Sequence, residues 1–401
     1  MIEVKAAEHI VLSNALIMAV EEIPLQESVG RVLGDDVVAD RDLPPYDRVT
    51  MDGIAINYES IEAGIKSFKI KGTQGAGDAH IEIESKEECV EIMTGASLPT
   101  TTDTIIRYED LDVANGIATL TTDNIKRGQN IHYKGSDRKQ HQVLAIANQT
   151  ITSALINTLA SVGMYKVPVR RLPKVVVIST GDELVGIEET PAPNEVRRSN
   201  VYAIASVLLQ EYRLQADLLH VADDKVSIRT ALSDCLNKYD TIILSGGVSM
   251  GKYDYLPEVL EELQVEKLFH KVSQRPGKPF WFGVDPLQKP VFAFPGNPVS
   301  TFMCMYRYFV PWMNKTLQLH AVPAYAVLNE DYSFKPELQY FLQVKIKSSD
   351  NGQLVATPHE GNGSGDFVNL LETDAFMELP AEETNFKKGE VYRIWPFKKI
   401  I

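Results

Sequence analysis

Strands alternating with helices over residues 172–315 predict a multidomain α/β protein built on a doubly wound, mostly parallel sheet. Three observations carry this reading. The chain has 401 residues, too many for one ordinary core, so two to four domains are expected. Val175–Ile178 is a continuous apolar run, typical of a strand buried on both faces. The flanking stretches, 54–140 and the residues after Thr316, instead carry short strands punctuated by turn residues.

The elements follow in order. Apolar residues at Ala7, Ile10, Val11, Ile17 and Met18 predict a helix over 3–20. Pro44-Pro45 stops any regular element, and Asp52-Gly53 is a turn signal. Residues 54–140 read as β-rich; Gly72, Gly75 and Gly77 form a loop with no following phosphate-binding helix. A helix is expected over roughly 150–162. After the 174–179 strand, Val201, Ile204, Leu208 and Tyr212 have helical spacing from Ser199 on, with Ser199 or Asn200 as a cap. Strands are expected at 216–221, 240–244, 267–272, 279–284 and 290–294, and helices at 225–237, 254–263 and from Val299. The last stretch reads as a small all-β domain whose loop His359–Asp366 is long and glycine-rich.

Composition narrows the function. A net charge of −14 argues against nucleic acid, because phosphate-backbone binding needs a basic face. It leaves room for a small anionic substrate held by a few local cations. Cys89, Cys235 and Cys304 are odd in number and far apart, which fits a reducing, cytoplasmic location. No histidine pair has metal-ligand spacing, no apolar run can cross a bilayer, and the acidic N-terminus is not expected to be a secretory signal.

The candidate site lies in three loops at predicted strand ends. Ser245-Gly246-Gly247-Val248-Ser249 offers backbone N–H groups and hydroxyls that suit phosphate. Lys278 stands between Gly277 and Pro279, with Arg275 and Lys271 upstream, so a local anion site is expected. Pro295-Gly296-Asn297-Pro298 closes the set. Thr180-Gly181-Asp182-Glu183 follows the first buried strand, Asp223 and Asp224 follow the next, and Asp254 follows the Gly-Ser loop. Carboxylates spread over such loops suit Mg²⁺, which is held by one or two acids plus substrate phosphates. Neither a GxSxG elbow nor a GxGxxG after the first strand is present, so hydrolase and dinucleotide readings are weak.

Taken together, LPPYDRVTMDGIA at 43–55, MTGASLP at 93–99, RYED at 107–110, RGQNI at 127–131, STGDEL at 179–184, SGGVSMG at 245–251, RPGKP at 275–279 and PGNPVS at 295–300 make a specific pattern. In it the chain closely resembles the molybdopterin molybdenumtransferase (MoeA) family, which includes the gephyrin E domain. The resemblance implies an enzyme that adds molybdate to adenylylated molybdopterin, releasing AMP and the molybdenum cofactor with the help of Mg²⁺. It implies an elongated helical domain (1–42 with 141–170), a β-rich lobe (43–140), the doubly wound domain (171–318) and a C-terminal β-barrel (319–401). It implies an antiparallel homodimer with an inter-subunit active site, and a molybdopterin adenylyltransferase as a possible partner. Asp52 and Asp137 would cross that interface. Thr94, Glu183, Asp223 or Asp224, and Asp254 match family positions, with Glu183 and Asp254 as metal ligands. Lys271, Arg275, Lys278 and Ser300 would surround the oxyanion, and Ser364 would join them from the C-terminal domain.

The chain departs from the family pattern in places. Val49 and Ile54 replace polar neighbours of Asp52, Thr100-Thr101-Thr102 replaces an acidic step, and Gln343 stands where an arginine contacts the oxyanion. A neutral amide cannot give the bidentate grip of a guanidinium, so weaker molybdate binding, or substitution by Arg275 or a lysine, is expected. Two other readings stay open. The 172–315 domain also resembles a molybdopterin adenylyltransferase, and gephyrin acts as a non-enzymatic scaffold.

Overall fold

The computed structural model describes residues 1–247 and 255–399. The chain divides into two compact units, one comprising Met1–Asp35, Asn148–Thr152 and Lys166–Ile401, the other Asp36–Ala147 and Ser153–Tyr165.

The larger unit is built around a six-stranded sheet. Asp217–Val221, Val175–Thr180, Thr241–Ser245 and Pro290–Phe294 are neighbours in that order and run parallel. Trp281–Val284 and Glu266–His270 complete it as antiparallel strands. The three strands Val175–Thr180, Thr241–Ser245 and Pro290–Phe294 are buried at every position, as their unbroken apolar runs require. Strand order reverses between Val175–Thr180 and Thr241–Ser245, because the chain passes first to one side of the former and then to the other. Ligands of open α/β sheets sit outside the carboxyl ends of the strands at such a switch point.

On one face of the sheet, Phe280, Phe282, Phe292 and Phe294 pack against Tyr308, Phe309 and Trp312. The helices Pro298–Cys304 and Val310–Thr316 are joined by a π-helical turn, Met305–Phe309, which carries Arg307 inward. Arg307 is 1% exposed, 2.9 Å from Glu8 and 3.4 Å from Glu378, and its guanidinium lies over the Tyr308 and Trp395 rings. Burial alone would depress its pKa, but Glu378, Tyr308 and Glu8 together hold it above the usual value. Such a group stays charged in the interior only because its counter-ions are at hand.

The N-terminal helix is shorter than the sequence suggested. It runs Val4–Ser13 and is followed by a strand, Val20–Pro24. Asn14 ends it: its side chain turns back onto the Ile10 carbonyl at 2.8 Å, and Trp312 Nε1 takes the Asn14 carbonyl at 2.9 Å. Ile17, counted on the apolar face, is 91% exposed.

The C-terminal strands close a barrel. Gln339–Ser348, Leu354–Pro358, Ala324–Leu328, Val391–Pro396 and Ala375–Leu379 are neighbours in turn, and the last pairs back onto Gln339–Ser348. Leu328, Leu342, Val344, Ala356, Met377 and Ile394 fill its interior. A two-residue strand, Gln274–Arg275, adds to its edge in parallel with Gln339–Tyr340. The RPGKP loop therefore belongs to both sheets.

The smaller unit holds a six-stranded sheet of its own, ordered Thr104–Arg107, Gly53–Ile56, Glu88–Ile92, Ser67–Gln74, Ile117–Leu120, Leu111–Ala114. Its strands alternate between two cores, with Ala55, Val90 and Ile105 on one side and Ile54, Cys89 and Ile106 on the other. Asp52-Gly53 is not a hairpin turn but the entry to an interior strand paired on both sides. A Cβ on Gly53 would lie 1.9 Å from the Ile106 carbonyl oxygen, so only glycine lets the neighbouring strand come this close. Among the described residues no helix is long and apolar enough to cross a membrane.

Candidate active site

Two adjoining cavities open at the carboxyl ends of the parallel strands. The larger, about 820 Å³, lies at the switch point and is lined by Thr180, Glu183, Asn200, Ser245, Gly246 and Gly296 among others. The smaller, about 340 Å³, lies between the sheet domain and the barrel, with Arg275, Lys278, Pro295, Ser300, Gln343 and Ser364 in its wall. Asn297 lines both, and the barrel loop Gly361–Phe367 supplies residues to each.

The switch-point cleft is held open by side-chain amides. Asn200 starts the helix Asn200–Tyr212, but neither it nor Ser199 caps that helix through its side chain. Instead Asn200 Nδ2 donates to Ser245 Oγ at 3.0 Å and to the Gly296 carbonyl at 2.7 Å. One amide thus ties the ends of two neighbouring strands. On the other flank, Asp182 Oδ1 accepts from the Asp223 N–H at 3.0 Å. Asp224 caps the next helix through Val226 N and Ser227 N, and the Ser227 bonds hold its carboxyl below the usual range. Glu183 is exposed on the cleft wall, beside Gly181. Val248, Ser249 and Asp254 lie outside the described residues.

The smaller cavity is walled by a stiff loop. Gln274 is fully buried; its Nε2 donates to the Gly277 carbonyl at 3.0 Å, and its Oε1 accepts from Tyr308. Gly277 has φ +86°, and a Cβ there would lie within 2.9 Å of Gln274, Met303 and Cys304. The loop so fixed puts Arg275 and Lys278 on the cavity rim, both exposed. The Arg275 guanidinium rests 5.8 Å over Phe334, which stacks on Tyr340 at 4.0 Å. Lys271 is not in this wall: it sits before the loop, its carbonyl taken by Ile2 N at 3.0 Å. From the barrel, Ser364 Oγ accepts from Asn297 Nδ2 at 2.9 Å and its carbonyl accepts from Val299 N at 3.1 Å. Gln343 lines the cavity with its Oε1 bonded to Asn369 Nδ2 at 3.1 Å.

In the smaller unit, Asp52 Oδ1 accepts from Thr94 N at 2.6 Å, and the Thr94 bonds hold its carboxyl below the usual carboxylate range. Asp137 Oδ1 accepts from His132 Nε2 at 2.8 Å, while Arg48 donates to His132 Nδ1 at 3.1 Å. Thr100 and Thr101 bond Glu82 through both backbone N–H groups and both hydroxyls. Those bonds, Thr101's first, hold the Glu82 carboxyl at about 2. Asn200, Gln274, Tyr340 and Glu360 are site-wall residues that motif reading missed. The two amides have partners remote in sequence, Gly296 lying 96 residues from Asn200.

Three family descriptions match this chain: "MoeA N-terminal region (domain I and II)" over residues 2–163, "Probable molybdopterin binding domain" over 176–315, and "MoeA C-terminal region (domain IV)" over 325–397. A molybdopterin molybdenumtransferase of Synechocystis sp. is 37% identical over 394 residues, covering 98% of this chain and 99% of that protein. The chain belongs to the molybdopterin molybdenumtransferase (MoeA) family. Another member, from Staphylococcus epidermidis, is 31% identical over 92% of this chain and 89% of its own. A solved MoeA structure, a molybdopterin biosynthesis protein from Pyrococcus horikoshii, superimposes with a TM-score of 0.83 at 29% identity, covering both chains fully. The MoeA fold thus agrees with the architecture described above.

Proposed function

We propose that the protein inserts molybdate into adenylylated molybdopterin, releasing AMP and the molybdenum cofactor. What supports this beyond family membership is the pair of cavities sharing Asn297 and the Gly361–Phe367 loop. One is cationic at its rim and sized for a small oxyanion; the other sits where an α/β sheet takes a phosphate-bearing ligand. Molybdate, a tetrahedral dianion like phosphate, goes to Arg275, Lys278 and Ser300. The pterin nucleotide goes to Thr180, Gly181, Asp182, Ser245, Gly246 and Gly247, with Pro295–Pro298 between the two. In this reading the stretches 43–140, 171–318 and 319–401 are the working parts, and 1–42 with 141–170 link them.

The chain's own residues orient and bind. Lys278 and Arg275 stabilise the negative charge of the oxyanion while the two dithiolene sulfurs replace oxygens, which leave as water with the thiol protons. Ser364 and Asn297 hold the wall between the cavities, so that the metal oxyanion meets the pterin end of the substrate. Asp52 and Asp137, on the smaller unit, would reach a partner subunit's site in a homodimer; the Thr94 bonds favour the charged form of Asp52 and extend its ionised range to lower pH. No cluster of three or more metal-ligating side chains exists among the described residues. Mg²⁺ needs only one or two acids plus phosphate, so Glu183 on the cleft wall fits it as a donor. When bound, the ion would supply charge neutralisation at the pyrophosphate. We place the reaction in the cytoplasm, with an adenylyltransferase supplying the substrate.

The test is molybdate-dependent release of AMP from adenylylated molybdopterin by the purified protein. Adenylylation of molybdopterin from ATP alone, indifferent to molybdate, would instead make it an adenylyltransferase.

A further inference from the structure

We propose that Arg198 is a substrate-binding residue, its guanidinium taking a phosphate of a pyrophosphate-bearing ligand in the switch-point cleft. The proposal rests on the functional reading above and adds a cation that no motif supplied. Arg198 lines the cleft together with Thr180, Asn200, Ser245 and Gly246. Its Nε is shielded from solvent and has no hydrogen-bond partner. Arg31, Arg170 and Arg307 also carry a shielded Nε, but each has another guanidinium nitrogen bonded to protein. Arg198 has no side-chain ion pair or hydrogen bond among the described residues.

The acids beside it in sequence bond backbone N–H groups: Glu189 Oε1 accepts from Gly186 N at 2.8 Å, and Glu195 Oε2 accepts from Ala192 N at 2.8 Å. Glu189 is the acid at hand, since a Cβ on Gly186 would lie 2.5 Å from its Oε1 and 3.3 Å from Arg198 Nη2, yet the two make no direct ion pair. A guanidinium without a direct partner is unexpected in a chain of net charge −14. Holding it half-buried without a hydrogen-bonded counter-ion costs stability, which a bound anion offsets. Glu183 and Glu195 line the same cleft and would repel a pyrophosphate, so an anion entering there needs a nearby cation. A guanidinium fork matches two phosphate oxygens at once, which an ammonium cannot do. Arg275 and Lys278, in the wall of the other cavity, are left for the oxyanion.

The test uses the full-length protein with inorganic pyrophosphate and with molybdate as separate probes, measured by calorimetry. Arg198→Gln is expected to weaken pyrophosphate binding about tenfold or more. Molybdate affinity should hold, the melting temperature of the free protein should not fall, and Arg198→Lys should recover part of the loss. In turnover, KM for adenylylated molybdopterin should rise more than kcat falls. Pyrophosphate affinity unchanged in Arg198→Gln, or absent in the unmodified protein, overturns the assignment. So does a parallel loss of both probes with a lowered melting temperature, which marks a structural role. If the unmodified protein releases AMP and Arg198→Gln leaves KM unchanged, only the arginine assignment falls. If the unmodified protein releases none, the functional reading falls with it.

Discussion

Gln274→Leu removes a buried side chain that fixes the RPGKP loop from within. The substitution keeps the volume near and deletes the amide's bonds to the Gly277 carbonyl, the Tyr308 hydroxyl and Cys304 Sγ. Gly277 loses its donor, worth about 1 kcal/mol net, and the Tyr308 hydroxyl is left buried without an acceptor, which costs about 1–3 kcal/mol. The expected destabilisation is therefore about 2–4 kcal/mol, or a fall of roughly 4–16 °C in the transition of the larger unit. Because Arg275 and Lys278 ride on that loop, molybdate affinity should drop roughly tenfold. Tyr308→Phe in the same chain removes the stranded hydroxyl, so the double variant should recover about 1 kcal/mol relative to the sum of the singles. Thermal melts of the four proteins and molybdate titrations read both effects. Strict additivity, or a Gln274→Leu protein with unchanged melting and unchanged molybdate affinity, would refute the claim that this amide positions the oxyanion loop.

Other substitutions test other parts. Asn200→Ala unties the ends of two strands and should cost about 2 kcal/mol in urea unfolding while raising KM for the pterin nucleotide. Arg307→Leu leaves Glu8 and Glu378 without their shared cation and should destabilise by about 3–5 kcal/mol. Glu82 is ionised at about 2 in the folded protein against 4.5 ordinarily, so it stabilises above pH 4.5 and loses that contribution as pH falls towards 2. With its side chain 38% exposed, solvent screening reduces the effect to about 1 kcal/mol; Thr101→Ala should raise the Glu82 titration midpoint seen by NMR. Asp52 is likewise held low by the Thr94 bonds, so any acid limb it gives the activity profile should lie below that of an ordinary aspartate, whereas Asp52→Asn should abolish AMP release at every pH.

Much of the sheet domain was legible because its signal is local. Buried parallel strands are unbroken apolar runs, and the expected strand at 240–244 appears as Thr241–Ser245. The loops at their ends carry small residues for reasons visible in the sequence. What stayed hidden depends on partners far along the chain. The role of Gln274 becomes visible only beside Tyr308, and Asn200 read as a helix cap until Gly296 and Ser245 stood next to it. Helical spacing ran on past Ser13 because periodicity cannot register that Trp312 captures the Asn14 carbonyl. Lys271 was grouped with Arg275 and Lys278 by proximity in sequence and by the family resemblance; it does not line the smaller cavity that those two border.

The two-residue ladder between Gln274–Arg275 and Gln339–Tyr340 bears on how this chain can be cut and recombined. A grafting experiment that exchanged the barrel for one from a relative would also replace half of the backbone pairing that seats the oxyanion loop. Modularity therefore ends at that seam. Removing the barrel would leave Arg275 on an unpaired edge and strip Glu378 from Arg307, and a chimaera should work only where the incoming barrel offers the same register at residues 339–340.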